Sequence, residues 1–160
     1  MKHLSLLDRG LGYVLIQALL IGLLLFGPKG MLLIPSSKEF LAPYFEIFGI
    51  LIASAGLIFT VVAAYHLGKN LTPLPCPKEN AQLVQSGLYR LVRHPIYFGV
   101  LLVALGFLLI YPHIWILLEV FALVLFFDVK TRREEKWLII RFPQYQDYQL
   151  KVKKLIPGIY

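Results

Sequence analysis

Two stretches of this 160-residue sequence gather side chains able to bind and orient charged groups. The first is Arg93-His94-Pro95-Ile96-Tyr97-Phe98-Gly99. Pro95 suits the first position of a helix, where its missing N–H costs nothing. His94 then stands at the helix mouth, where free backbone N–H groups and the helix dipole favour an anionic group such as a carboxylate. The plain alternative for His94 is a helix cap. The second stretch is Glu134-Glu135, set among Lys130, Arg132, Arg133 and Lys136. Lys130 and Glu134 have the spacing of a helical ion pair, so a solvated helix face is the alternative to a binding role. The sequence offers no Ser/His/Asp arrangement and no metal-ligand cluster. Its single cysteine, Cys76, lacks the His and acid partners of a nucleophile.

The elements that must position these groups are written in the composition. The chain is 58% hydrophobic and 16% charged, against about 45–50% and about 25% in soluble domains. That excludes a disordered chain, and one cysteine excludes a disulfide scaffold. No charge lies between Gly10 and Pro28 or between Ile47 and Leu67, and Glu119 is the one charge between Ile96 and Phe127. A single helix through the last block would run roughly 48 Å, too long for a ~30 Å hydrocarbon core. Tyr111-Pro112-His113 supplies the break. The expectation is one all-α integral membrane domain with four transmembrane helices at 10–28, 45–67, 95–111 and 113–129. The last two form a hairpin whose second arm continues into a cytosolic C-terminal helical extension. A cytosolic loop spans 68–94 and a cytosolic tail 130–160. The first block exceeds the 7–15-residue apolar run of a signal peptide and has no small-x-small cleavage site, so a retained helix is expected.

The charge sets orientation. With the N-terminus inside, only Lys29 and Lys38 of the sixteen Lys and Arg residues fall outside, as the positive-inside rule requires. Both termini are then cytoplasmic, in a bacterial inner membrane or an endomembrane such as the ER. The net charge of +7 marks a lipid-adjacent face, not a nucleic-acid surface. Gly49, Ala53 and Gly56 on the second helix suit close helix packing. Glu119 is costly in hydrocarbon and is expected to snorkel or to find a partner helix. The first two helices offer little chemistry and are expected to wall a lipid-facing opening.

Arg93-His94-Pro95-Ile96-Tyr97-Phe98-Gly99 resembles the Arg-His-Pro-x-Tyr-x-Gly signature of the isoprenylcysteine carboxyl methyltransferase family, integral membrane enzymes that use S-adenosylmethionine and are related to phospholipid and small-thiol methyltransferases. Glu134-Glu135-Lys136-Trp137-Leu138 matches that family's Glu-Glu-x-x-Leu, and Phe142, Tyr145 and Tyr148 resemble its aromatic tail. The resemblance runs from about Leu71 to the C-terminus. It implies a cytosolic S-adenosylmethionine pocket formed by Gln82, Leu83, Val84, Tyr89, His94, Pro95, Ile96, Tyr97 and Glu134. The family arginine that contacts the substrate carboxylate is here Lys130, and Phe-Gly-x-x-Tyr is shortened to Phe142-Pro143-Gln144-Tyr145. Both departures bear on the acceptor, because lysine is a point charge where arginine offers a fork.

The resemblance therefore implies methyl transfer to an amphiphilic or lipidated acceptor at the bilayer surface, with a prenylcysteine-type carboxylate first. A phospholipid amine and a small thiol are the alternatives, and a non-catalytic membrane adaptor retaining the fold is the alternative outside enzymes. A carboxylate or thiolate needs no general base at the moment of transfer, so proximity and desolvation carry the rate and no catalytic residue is assigned. A transporter would require polar residues lining several spans, and apart from Glu119 and Gln17 the spans hold few.

Overall fold

The computed structural model describes residues 5–28 and 40–160. Met1–Leu4 and the loop carrying Lys29 and Lys38 lie outside the described residues. Among the described residues four α-helices follow the apolar blocks, α1 (Leu11–Phe26), α2 (Ala42–Leu67), α3 (Pro95–Ile110) and α4 (Ile114–Arg141), and a short polar helix, α5 (Tyr145–Lys151), lies in the tail. No strand occurs among the described residues. Pro95 opens α3 as its spacing predicts, and the Tyr111–His113 break separates α3 from α4.

Among the described residues one helix is long and apolar enough to cross a membrane, Ala42–Asn70, with a mean hydropathy of 2.5 and only 17% of its apolar window buried. A core helix of a soluble protein would be mostly buried; this one turns Ile47, Phe48, Leu51, Leu57, Ile58 and Val61 outward. The sixteen-residue α1 and α3 are about 24 Å long, shorter than the ~30 Å core.

α2 and α3 run antiparallel with their backbones almost touching. A Cβ on Gly56 would lie 2.6 Å from the Gly99 carbonyl oxygen, and one on Gly106 would lie 2.6 Å from that of Gly49 and 2.7 Å from the Ala53 Cβ. The small residues of α2 are thus consumed within the chain, against α3, as close packing by small side chains allows. Gly56→Ala should force the pair apart at a cost of about 1–3 kcal/mol, outweighing the ~1 kcal/mol gain in helix propensity. An unchanged thermal midpoint in detergent would refute that contact.

α4 carries the molecule's logic. Its buried residues Ile116, Leu123, Phe127, Lys130, Thr131 and Glu135 recur at helical spacing, so one stripe faces inward throughout. In the first half the stripe joins Leu24, Tyr97 and Ala104 in an apolar core. Beyond Phe127 the same stripe becomes Lys130, Glu134, Glu135 and Leu138. Glu119, three residues after Ile116 and four before Leu123, falls at the spacing of that stripe and is half-buried, and its Oε2 has no hydrogen-bond partner among the described residues.

After α5 the chain runs beside the start of α3. Val92 and Lys153 form a parallel bridge, and the N–H groups of Arg93 and His94 donate to the carbonyls of Lys153 and Lys154 at 2.8 and 3.1 Å. Asp128 anchors this tail, accepting from Lys154 Nζ at 2.6 Å, from Arg132 Nε at 2.8 Å and from the Tyr160 hydroxyl at 2.5 Å. Arg132 is therefore tied to Asp128 on the surface.

Candidate active site

A cavity of about 380 Å³ opens where the apolar stripe of α4 turns polar. Four separated segments wall it: α1 through Gln17, the loop from Leu67 to Tyr89, the start of α3, and α4 with the tail that follows. The loop is held by its own polar groups. Asn70 Oδ1 accepts from the Gln82 N–H at 2.9 Å, and Lys78 Nζ donates to the Lys69 carbonyl at 2.9 Å. At its far end the Leu88 N–H donates to His66 Nδ1 at 3.3 Å. The His66 ring packs over Gly87, whose φ of +59° and lack of Cβ admit it; a Cβ there would lie 2.5 Å from the ring. These ties set Gln82, Leu83, Val84 and Tyr89 against the cavity.

His94 is buried between two carboxylates. Its Nδ1 lies 3.3 Å from Glu134 Oε2 and its Nε2 3.1 Å from Glu135 Oε1. Both ring nitrogens can donate only as imidazolium. Burial opposes that charge, yet the hydrogen bonds to Glu134 and Glu135 and their charges outweigh it and raise the pKa above the usual 6.5. Glu135 also takes Arg93 Nε at 2.7 Å, Gln149 Nε2 at 3.0 Å and the Tyr145 hydroxyl at 3.3 Å. Burial works against its carboxylate, but His94 and Arg93 lower its pKa from 4.5 to about 2. Arg93 further donates through Nη1 to the carbonyls of Gln149, at 3.2 Å, and Val152. This network ties α3, α4 and the tail into one unit.

The two charged partners imply a pH window. The contribution of His94 is fully present below its ordinary pKa of 6.5 and is lost as pH rises through its raised folded value. The contribution of Glu135 is present above 4.5 and is lost as pH falls toward about 2. Thermal stability should therefore peak between those limits, and His94→Gln should flatten its decline on the alkaline side. An alkaline decline equally steep in that variant would refute the assignment.

The adjacent glutamates face different ways. Glu134 lines the cavity and accepts from the Tyr97 hydroxyl at 2.6 Å, whereas Glu135 belongs to the buried network and is not a lining residue. The expected helical pair between Lys130 and Glu134 is not formed, because Glu134 turns to Tyr97 and His94. The Tyr97 ring lies against Phe127 at 4.6 Å between centroids and against His94 at 5.7 Å. Lys130 is 1% exposed. Its Nζ donates to Gln17 Oε1 at 2.5 Å and to the Pro73 carbonyl at 3.2 Å, and stands 5.0 Å from the Tyr97 centroid. Burial lowers its pKa, and the charge of Glu134 opposes that fall. Burial pushes the hydroxyls of Tyr89, Tyr145 and Tyr148 up, so all three stay neutral.

The cavity brings together Gln82, Leu83, Val84, Tyr89, His94, Ile96, Tyr97, Glu134 and Lys130. Pro95 is buried but is not a lining residue; its part is to start α3. Arg93, Tyr145, Tyr148 and Gln17 also line the wall and were not assigned from sequence. Gln17 brings α1, one of the two helices expected to form a wall with little chemistry, onto the cavity wall. A glutamine in an uncharged block is itself a signal, since an amide in apolar surroundings needs a partner.

The residues suit a zwitterionic ligand bearing an adenosyl group. Glu134 offers an anion for an ammonium. The first-turn amides of Ile96 and Tyr97 precede the first intrahelical bond, Phe98 N–H to the His94 carbonyl, and can receive a carboxylate. Leu83 and Val84 give an apolar wall, and the volume lies within the ~300–1,000 Å³ of ligand sites. The family described as phospholipid methyltransferase matches residues 44–144. The protein-S-isoprenylcysteine O-methyltransferase of Saccharomyces cerevisiae is 32% identical over 117 residues, covering 71% of this chain and 49% of the yeast protein. This chain thus spans about half the length of that relative.

Proposed function

The chain belongs to the phospholipid methyltransferase family, and from that premise we propose that it transfers a methyl group from S-adenosylmethionine to an amphiphilic, lipid-borne acceptor at the cytoplasmic face of a membrane, with a carboxylate as the favoured acceptor group. The observation that carries this reading is the cavity itself, which gathers residues 82–84, Tyr89, His94, Ile96, Tyr97 and Glu134 from segments far apart in the chain. Four membrane spans, with both termini cytoplasmic, would set it at the inner bilayer boundary. The outward apolar face of α2 supports a lipid environment.

S-adenosylmethionine, when bound, supplies a methyl group already activated on a sulfonium. The chain's own work is then to hold, orient and dry. Glu134, fixed by Tyr97 and His94, would bind the ammonium; the mouth of α3 would bind the carboxylate. Tyr89 would wall the site beside them. Leu74, Leu83, Val84, Leu138 and Phe142 would exclude water, which strengthens the nucleophilicity of an anionic acceptor. Lys130, a buried cation on the cavity wall, favours an anionic acceptor over an amine, since an ammonium headgroup would meet a like charge there.

Purified protein supplied with methyl-labelled S-adenosylmethionine and membrane lipid, prenylcysteine peptide or small-thiol pools should label the prenylcysteine pool in base-labile form, as an ester requires. Label confined to base-stable phospholipid amine would overturn the carboxylate assignment, and no label in any pool would favour the non-catalytic adaptor.

A further inference from the structure

Gln17 stands in α1, far from either sequence motif, yet its side chain lines the cavity and accepts from Lys130 Nζ at 2.5 Å. An ammonium has three N–H donors. Two of those on Lys130 go to neutral oxygens, of Gln17 and of Pro73. The ion pairs among the described residues leave Lys130 without a carboxylate within 4.0 Å. Glu134, one turn further along α4, is directed to Tyr97 and His94. Lys130 is thus a buried cation hydrogen-bonded only to neutral oxygens, with the Tyr97 ring beside it and the Glu134 charge beyond ion-pair distance, a costly arrangement that persists where a closer counter-charge arrives with a ligand. The cavity is where such a charge can reach it.

We propose that Gln17 is a specificity-determining residue: it positions Lys130 on the cavity wall while leaving it without a direct ion pair, so that this corner receives the anionic head of the methyl acceptor. The inference rests on the methyltransferase reading and adds to it a residue from α1. Glutamine is suited to the part because its amide oxygen fixes the ammonium without cancelling it. Glutamate of nearly equal shape would cancel the charge, and leucine would release the side chain. A single remaining N–H engages one anionic oxygen, not the bidentate grip of an arginine.

The test compares wild type, Gln17→Glu, Gln17→Leu, Lys130→Met and the Gln17→Leu/Lys130→Met double variant, with N-acetyl-S-farnesylcysteine as carboxylate probe. Affinity for S-adenosylhomocysteine is measured in parallel by calorimetry. Gln17→Glu is expected to raise the acceptor KM at least about ten-fold, equivalent to about 1.4 kcal/mol, with kcat and S-adenosylhomocysteine affinity held within about two-fold. Gln17→Leu should raise KM in the wild-type background and add nothing on Lys130→Met, the non-additivity of a coupled pair. Three results overturn the inference: an unchanged KM in Gln17→Glu; a joint loss of kcat, thermal midpoint and S-adenosylhomocysteine affinity at fixed KM, which marks a structural role; or a wild type that binds S-adenosylhomocysteine and leaves the carboxylate probe unmethylated. A wild type that fails to bind S-adenosylhomocysteine overturns the methyltransferase reading and this inference with it.

Discussion

Glu135→Ala is expected to lower the thermal midpoint in detergent more than any other single change at the site. The carboxylate receives Arg93, His94, Tyr145 and Gln149 at 2.7–3.3 Å. The side chains of Arg93, His94 and Glu135 are 10%, 7% and 9% exposed. Removing one partner leaves buried cations uncompensated, at a cost of about 3–5 kcal/mol, which at about 2–4 °C per kcal/mol for a chain of this size is a fall of roughly 6–20 °C. The damage should spread beyond the pocket, because Arg93 also carries the carbonyls of Gln149 and Val152 and so the docking of the tail. Glu135→Gln keeps one acceptor oxygen and should fall between. A midpoint unchanged in Glu135→Ala would show that the network is not what joins α3, α4 and the tail.

Glu134→Gln should behave in the opposite manner. Glutamine keeps the shape and an oxygen for the Tyr97 hydroxyl, now 2.6 Å from the carboxylate, but removes the charge that faces the cavity. The expected loss is one charge-assisted contact to the ligand ammonium, about 1.5–3 kcal/mol, or roughly ten- to a hundred-fold in S-adenosylhomocysteine affinity, with the midpoint shifting far less than in Glu135→Ala. The two variants together form a sharp contrast between adjacent residues. If Glu134→Gln unfolds the protein while Glu135→Ala merely weakens ligand binding, the roles given to the pair are reversed.

That contrast also marks where sequence reading stops. The existence of α3 and its first residue were legible because proline has a positional meaning, and the hairpin was legible because Tyr111-Pro112 interrupts a run too long for one span. The lining positions His94, Tyr97 and Glu134 could be named from two motifs. The division of labour between Glu134 and Glu135 could not, since adjacent helical residues point about 100° apart and only the partner elements decide which face is the cavity. Arg93 stood inside a motif without a role, because its partners Gln149 and Val152 are more than fifty residues away. Tyr145 and Tyr148 could equally have been an interfacial belt; the parallel run of Val92 beside Lys153 is what brings them to the wall. Lys130 was assigned to the acceptor by resemblance, with a helical pair to Glu134 as the alternative, and its hydrogen-bond partner Gln17 lies on a helix that no local pattern connects to it.

The central claim is that this cavity binds S-adenosylmethionine, and titration calorimetry of the detergent-purified protein with S-adenosylhomocysteine tests it most directly. Saturable binding at one site per chain, weakened in Glu134→Gln and unchanged in Gln17→Glu, is the predicted result. No heat and no thermal stabilisation at high ligand excess, from a wild-type chain that is folded by its unfolding transition, would contradict the claim.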